Sequence, residues 1–550
     1  MFHPDGRGRI PALILSGGLA ATLGLGAPSA QAATLGTVNF DAGRGYLTVN
    51  GTAAADAIAF TRSTIDTVAM IGVDLDGDSK PDAIFPEALI KRLNVYGRGG
   101  NDRLSTAEIP ATIRVQVSGD AGDDTMTGGP GNERFLGGYG ADSVFGGRGN
   151  DIAYLGSGND RFGWAPGDGN DRVEGQSGND TQLFLGAGVN ENVTISNNQG
   201  RVKFFRDVAN VTMDLNGIEV LDTDLRTGTD TTTVGNLAGT HVNHVLNRLG
   251  NNPGSQGRII ANGTRRIDRV DVMARTTPEG TVAHALGLPA VIELQGAGIE
   301  DQLEVRTSSS DDRISSSIPA NALTFTADGG TGDDQMLGGD ADETFIGGPG
   351  DDVIDGNRGN DLARLGEGEL DLFIWDPGDG SDRVDGDAGT DVLVFRGSAG
   401  AERFAVTRTG RGESRFTRDL GNIVMDLKAV EVIDVTAMGG ADDLNVGDLG
   451  GSGLRAIVAN LSVVPGTPAS DGAVDTVTVA GTDNADAIAI RGRAASAVGS
   501  GVVEIAGLPA EVRLTRVEPT DRLTVNGGGG VDTFNTRRLV PGTVQLTTNQ

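Results

Sequence analysis

The chain has 550 residues, 87 of them glycine, and no cysteine. Aromatic residues make up 4% and hydrophobic residues 37%, which is thin for large globular cores but enough for narrow ones built from stacked strands. The net charge of -31 excludes nucleic acid and anionic membranes as natural partners, suits cations, and leaves a cysteine-free, glycine-rich chain that disulfides cannot hold together.

Residues 1–32 read as a secretory signal peptide. Arg7 and Arg9 give a basic start, Ile10 to Leu25 is mostly apolar, and Ala30-Gln31-Ala32 fits a small-x-small cleavage site before Ala33. No later run reaches the ~18 apolar residues that a membrane span needs.

Downstream, short segments alternate apolar and polar residues and then stop at Gly or Asn: "LTVNG", "RLNVYG", "TIRVQVSG", "NVTMDL" and "DRLTVNG". Period-two alternation bounded by turn residues predicts strands, and no segment beyond the leader has a convincing 3.6-residue period. The predicted class is all-β.

The first of these strands opens "LTVNGTAAADAIAF", which returns at 477–490 as "VTVAGTDNADAIAI". After it comes "DLDGDSKPD", with Asp74, Asp76, Asp78 and Asp82 at loop positions 1, 3, 5 and 9. That spacing resembles a calcium loop, with Ser79 where glycine is usual and Phe85 where glutamate is usual; a polar β-turn explains it equally well.

A nine-residue beat then starts at Gly119, Gly128, Gly137, Gly146 and Leu155, and resumes after a two-residue interruption at Pro166 and Gly175. A second block starts at Gly329, Gly338, Gly347, Gly356 and Leu365, then Pro377 and Gly386. Even the interruption is copied, "FGWAPGDGNDRVEG" against "FIWDPGDGSDRVDG", and the flank "RDVANVTMDLNGIEVLD" returns as "RDLGNIVMDLKAVEVID". The organisation predicted is unit one at 34–256 with its block at about 119–182, unit two at 257–470 with its block at about 329–394, and a partial third unit at 471–550.

Each repeat reads G-G-x-G-(N/D)-D-x-(large apolar)-x. Glycine permits tight turns whose carbonyls point inward, the sixth residue adds a carboxylate, and together they form the hard oxygen set that calcium prefers. The eighth residue (Met126, Phe135, Val144, Ala153, Phe162 and Val173 in unit one) is apolar and is expected to fill a narrow core.

On these residues the chain resembles the RTX, or haemolysin-type, calcium-binding repeat family. The resemblance implies parallel β-roll or β-helix solenoid blocks, elongated and joined by strand-rich spacers, with calcium (Ca2+) held between turns of repeats i and i+2. Five contiguous repeats give three such pairings: 119 with 137, 128 with 146, and 137 with 155. Carried over residue by residue, the implied metal ligands are Asp124, Glu133, Asp142, Asp151, Asp160, Asp171 and Asp180, then Asp334, Glu343, Asp352, Asp361, Asp371, Asp382 and Asp391. Asp371 needs a one-residue insertion to align. Degenerate turns at Gly97, Thr307 and Gly527 place Asp102, Asp312 and Asp532 at the acid position. As isolated turns without an i+2 partner, they are expected to be structural. The second turn of each block carries Glu and is expected to bind calcium less tightly than its Asp neighbours.

Trp164 and Trp375 stand at the same place beside the interruption. A ring that covers the core is expected there rather than a carbohydrate platform. His241, His244 and His284 form no HExxH motif, and the mature chain has no GxSxG elbow, cysteine nucleophile or phosphate loop. The expectation is a secreted, extracellular, non-enzymatic calcium-binding protein that serves as a structural, cell-surface, matrix or adhesive component. The alternative is a secreted degradative enzyme that carries RTX repeats.

Overall fold

The computed structural model describes residues 35–249, 255–461, 472–493 and 501–550; the leader read at 1–32 lies outside them. Among the described residues the regular structure is all strand, apart from 3-10 turns at Glu87–Leu89 and Val208–Asn210. The alternating sequences become strands for the expected reason. Tyr46–Asn50, Arg92–Tyr96 and Arg522–Asn526 each bury every second side chain.

The chain divides into two compact units. The first holds residues 35–186 with 198–222 and 240–242. Here each coil has two short strands, and each strand pairs in parallel with its equivalent one coil on. One sheet runs through Arg114–Ala121, Arg134–Tyr139, Ile152–Ser157 and Arg172–Ser177. The facing sheet runs through Thr125–Thr127, Ser143–Phe145, Arg161–Trp164 and Thr181–Leu185. Two nine-residue repeats therefore make one coil. The register Met126↔Val144↔Phe162 shows this directly, and all three side chains are fully buried between the sheets.

Upstream and downstream strands extend the same ladders. Arg92–Tyr96 pairs with Arg114–Ala121, and Val211–Asn216 pairs with Arg172–Ser177. The flanks are thus further coils, lengthened by antiparallel excursions such as Val68–Asp74 against Ala57–Ile65.

The second unit, residues 187–197, 223–239 and 243–550, repeats the plan. Thr324–Asp328, Glu343–Pro349, Leu362–Glu367 and Arg383–Ala388 form one parallel ladder. Gln335–Leu337, Val353–Asp355, Asp371–Trp375 and Asp391–Arg396 form the facing one. Flanking strands again continue both ladders, through Ile423–Lys428 and Val432–Thr436.

Both tryptophans are buried core residues. Trp164 stacks on Phe184 at 4.4 Å between centroids, and Trp375 on Phe395 at 4.0 Å. Their Nε1 atoms donate to the carbonyls of Gly169 and Gly380, at 2.9 and 2.8 Å. An indole enclosed in this way offers no platform to a sugar, and the ring covers the core where the interruption loops out.

Candidate metal centre

The turn geometry follows from glycine. Gly140 has φ +121, a value that side-chain-bearing residues rarely adopt, and a Cβ there would lie 2.1 Å from the carbonyl oxygen of Gly122 in the preceding coil. Turns stacked this closely bring their sixth-position acids into register.

All fourteen acids named from the repeat are buried, none more than 3% exposed. They stand in columns. In the first unit the N–H of Asp124 donates to Oδ1 of Asp142 (2.9 Å), Asp142 to Asp160 (2.8 Å), and Asp160 to Asp180 (2.9 Å). The second column runs from Glu133 to Asp151 (2.7 Å) and on to Asp171 (2.8 Å). In the second unit Asp334, Asp352 and Asp371 form one column, and Glu343, Asp361 and Asp382 the other. At Asp371 the inserted residue breaks the pattern: its N–H meets the Thr390 carbonyl instead, at 3.3 Å.

The interruption does not limit the pairing to the three turn pairs of the contiguous repeats. The extra residues of the first unit leave the column as a small turn, closed by Asp168 Oδ2 accepting from the Ala165 N–H at 2.8 Å. Asp151 then meets Asp171 and Asp160 meets Asp180, which makes five i to i+2 pairs in that unit.

One oxygen of each Asp but Asp391 is thus engaged; in Asp391 neither is. The other, Oδ2, is buried without a hydrogen-bond partner in Asp124, Asp142, Asp151, Asp160, Asp171, Asp180, Asp334, Asp352, Asp361, Asp371 and Asp391. Buried, unpaired carboxylate oxygens are costly, and stacking them at one-coil intervals adds repulsion. Burial accordingly pushes Asp142 and Asp352 up to about 7, and Asp151 and Asp361 up to about 9. Rows of inward carboxylate oxygens beside turn carbonyls fit a hard divalent cation that takes six to eight oxygens. Calcium would supply the positive charge that the columns lack. The aspartates and the turn carbonyls of adjacent coils would hold it.

Glu133 and Glu343 differ from the aspartates. Glu133 Oε2 accepts the N–H of Gly129 in its own turn (3.2 Å), while Glu343 Oε1 accepts from Gly339 N–H (3.1 Å) and Ser316 Oγ (3.0 Å). Each is the first acid of its column, and the longer side chain folds back on its own turn.

The degenerate turns are not isolated, which corrects the expectation from sequence. The N–H of Asp102 donates to Oδ1 of Asp124 (2.8 Å), and that of Asp312 to Asp334 (2.7 Å). Asp532 receives the N–H of Asp486 at 2.8 Å. Acids in the flanks, which sequence reading missed, continue the columns: Asp180 donates to Glu219 and Glu402 to Asp442. Asp56 and Asp486 also join columns, and their signal is present in "GTAAAD" and "GTDNAD", where an acid follows glycine at the sixth place without the other glycines.

In the loop at 74–82, carboxylate oxygens of Asp74, Asp76 and Asp78 lie within 4.8 Å of one another. Asp82 serves the backbone, accepting from Leu75 N–H at 2.8 Å, and Asp78 pairs with Lys80 at 2.8 Å. Asp74 accepts the N–H groups of Gly77 and Ser79, each at 2.8 Å, as a polar turn does.

The family profile described as RTX calcium-binding nonapeptide repeat (4 copies) matches residues 116–132, 127–162, 167–182, 328–363 and 378–400. No curated protein matches the chain. The matched segments coincide with the two sets of acid columns: this chain carries RTX calcium-binding nonapeptide repeats in both of its units.

Proposed function

We propose that this calcium-binding repeat protein is secreted, folds on extracellular calcium, and acts as a structural, surface or adhesive component rather than an enzyme. The observation that carries the reading is the set of buried Oδ2 atoms without partners. Without a cation, those columns oppose folding, and the apolar core must offset both them and the chain entropy. With calcium, binding free energy becomes folding free energy. Extracellular calcium modules bind with Kd of roughly 10⁻⁴–10⁻³ M, so the cytosol would leave the chain unfolded and the exterior would fold it. The leader-like sequence at 1–32 and the lack of cysteine support this order of events.

The test is chelator titration followed by far-UV circular dichroism, with β signal expected to be lost on calcium removal and restored on its return. An unchanged signal after complete removal would overturn the folding switch. Retention at a cell surface, measured with and without chelator, tests the adhesive role, and an unbiased hydrolase screen tests the non-enzymatic one.

A further inference from the structure

The turn at 97–102 precedes the first block and lies outside the residues that the repeat profile matches. It nevertheless has the full geometry of a repeat turn. Asp102 is 1% exposed, its Oδ1 accepts the N–H of Asp56 (2.8 Å), and its Oδ2 has no partner. Asp124, one coil on, is equally buried with its Oδ2 equally unpaired. The glycine cradles agree as well. A Cβ on Gly97 would lie 2.2 Å from Asp102 Oδ2 and 2.7 Å from the Gly119 carbonyl. A Cβ on Gly119, inside the matched block, would lie 2.2 Å from Asp124 Oδ2 and 2.8 Å from the Gly137 carbonyl.

Two other turns show a threonine taking up part of this position. At Asp56 the Thr52 N–H (2.6 Å) and hydroxyl (3.1 Å) bond Oδ2. In the second unit Thr307 stands where the first has Gly97, and its hydroxyl donates to the Gly329 carbonyl at 2.6 Å. The side chain fills the cradle and occupies the carbonyl that a cation would use, while Asp312 Oδ2 keeps no hydrogen-bond partner.

We propose that Asp102, Asp124 and the Gly119 carbonyl hold a calcium ion one coil upstream of the first block, and that Thr307 closes the corresponding place before the second. The proposal rests on calcium binding by the columns. Native mass spectrometry of the full chain at saturating calcium counts the ions. Asp102→Asn is expected to bind one fewer ion than the unaltered chain, and Thr307→Gly one more. An Asp102→Asn protein with an unchanged count overturns the site, and a Thr307→Gly protein with no gain overturns the closure.

If Asp102→Asn does not fold, crystals of the unaltered chain grown with terbium decide the matter. Anomalous density between Asp102 and Asp124 supports the site. Density between Asp124 and Asp142 without it overturns the site while leaving the columns' calcium binding intact. No ion in any column overturns both.

Discussion

Glu133 and Asp142 differ by one methylene and place their carboxylates differently. The glutamate engages its own turn's N–H, whereas Asp142 leaves Oδ2 buried and facing inward. Glu133→Asp is therefore expected to tighten calcium binding at the second turn, read as a higher affinity by isothermal titration calorimetry; an unchanged isotherm would count against it. The raised acids also set a pH dependence. In the calcium-free fold, burial lifts carboxyls from ordinary values near 4 to about 7 at Asp142 and Asp171 and about 9 at Asp151. The folded state then binds more protons than the unfolded state between those values, so calcium-free stability falls as pH rises through that window. A chelated sample is expected to regain β signal as pH is lowered from 9 toward 4. Calcium affinity should move the opposite way, weakening as pH falls through about 7 because ligands must lose their protons to bind.

A coil works as an element only if its turns nest and its core closes. Gly140→Ala puts a Cβ 2.1 Å from the Gly122 carbonyl, so it should break the stacking of that turn and lower calcium affinity at its neighbours. Trp375 closes the core beside the interruption, stacked on Phe395 with Arg418 over its ring. Trp375→Ala is expected to cost about 3–5 kcal/mol in calcium-loaded protein, by the usual penalty for emptying a large aromatic site. Denaturant unfolding measures it. The nine-residue period and the apolar eighth position made the coils and their core legible in the sequence. The flanking acids Glu219 and Asp442 were not legible, because they reach the columns through coils of irregular length. Their alignment depends on strand register, as in Arg172↔Asp214, rather than on any fixed spacing along the chain.

At the scale of the molecule, the excess of acid over base could oppose folding in two ways. General repulsion across a chain of net charge -31 would yield to salt, since about 1 M sodium chloride screens exposed charges within a few ångströms. The column oxygens are buried, so salt does not reach them. Sodium chloride is thus expected to leave the chelated chain unfolded, while millimolar calcium folds it; analytical ultracentrifugation separates the two outcomes by sedimentation rate. Recovery of the folded species in salt alone would shift the weight from coordination to bulk charge.

The hydrogen bonds within the columns have a direction. In the longest column the N–H of one acid reaches forward to Oδ1 of a later one, from Asp56 to Asp102, Asp124, Asp142, Asp160 and Asp180. Each carboxylate from Asp102 to Asp180 in that column is thus aimed by a residue that precedes it in the chain. A polypeptide emerging amino end first always has the aiming group in place before the group that is aimed. Growth by addition of coils at the carboxyl side is then templated, and each finished turn selects the rotamer of the next acid.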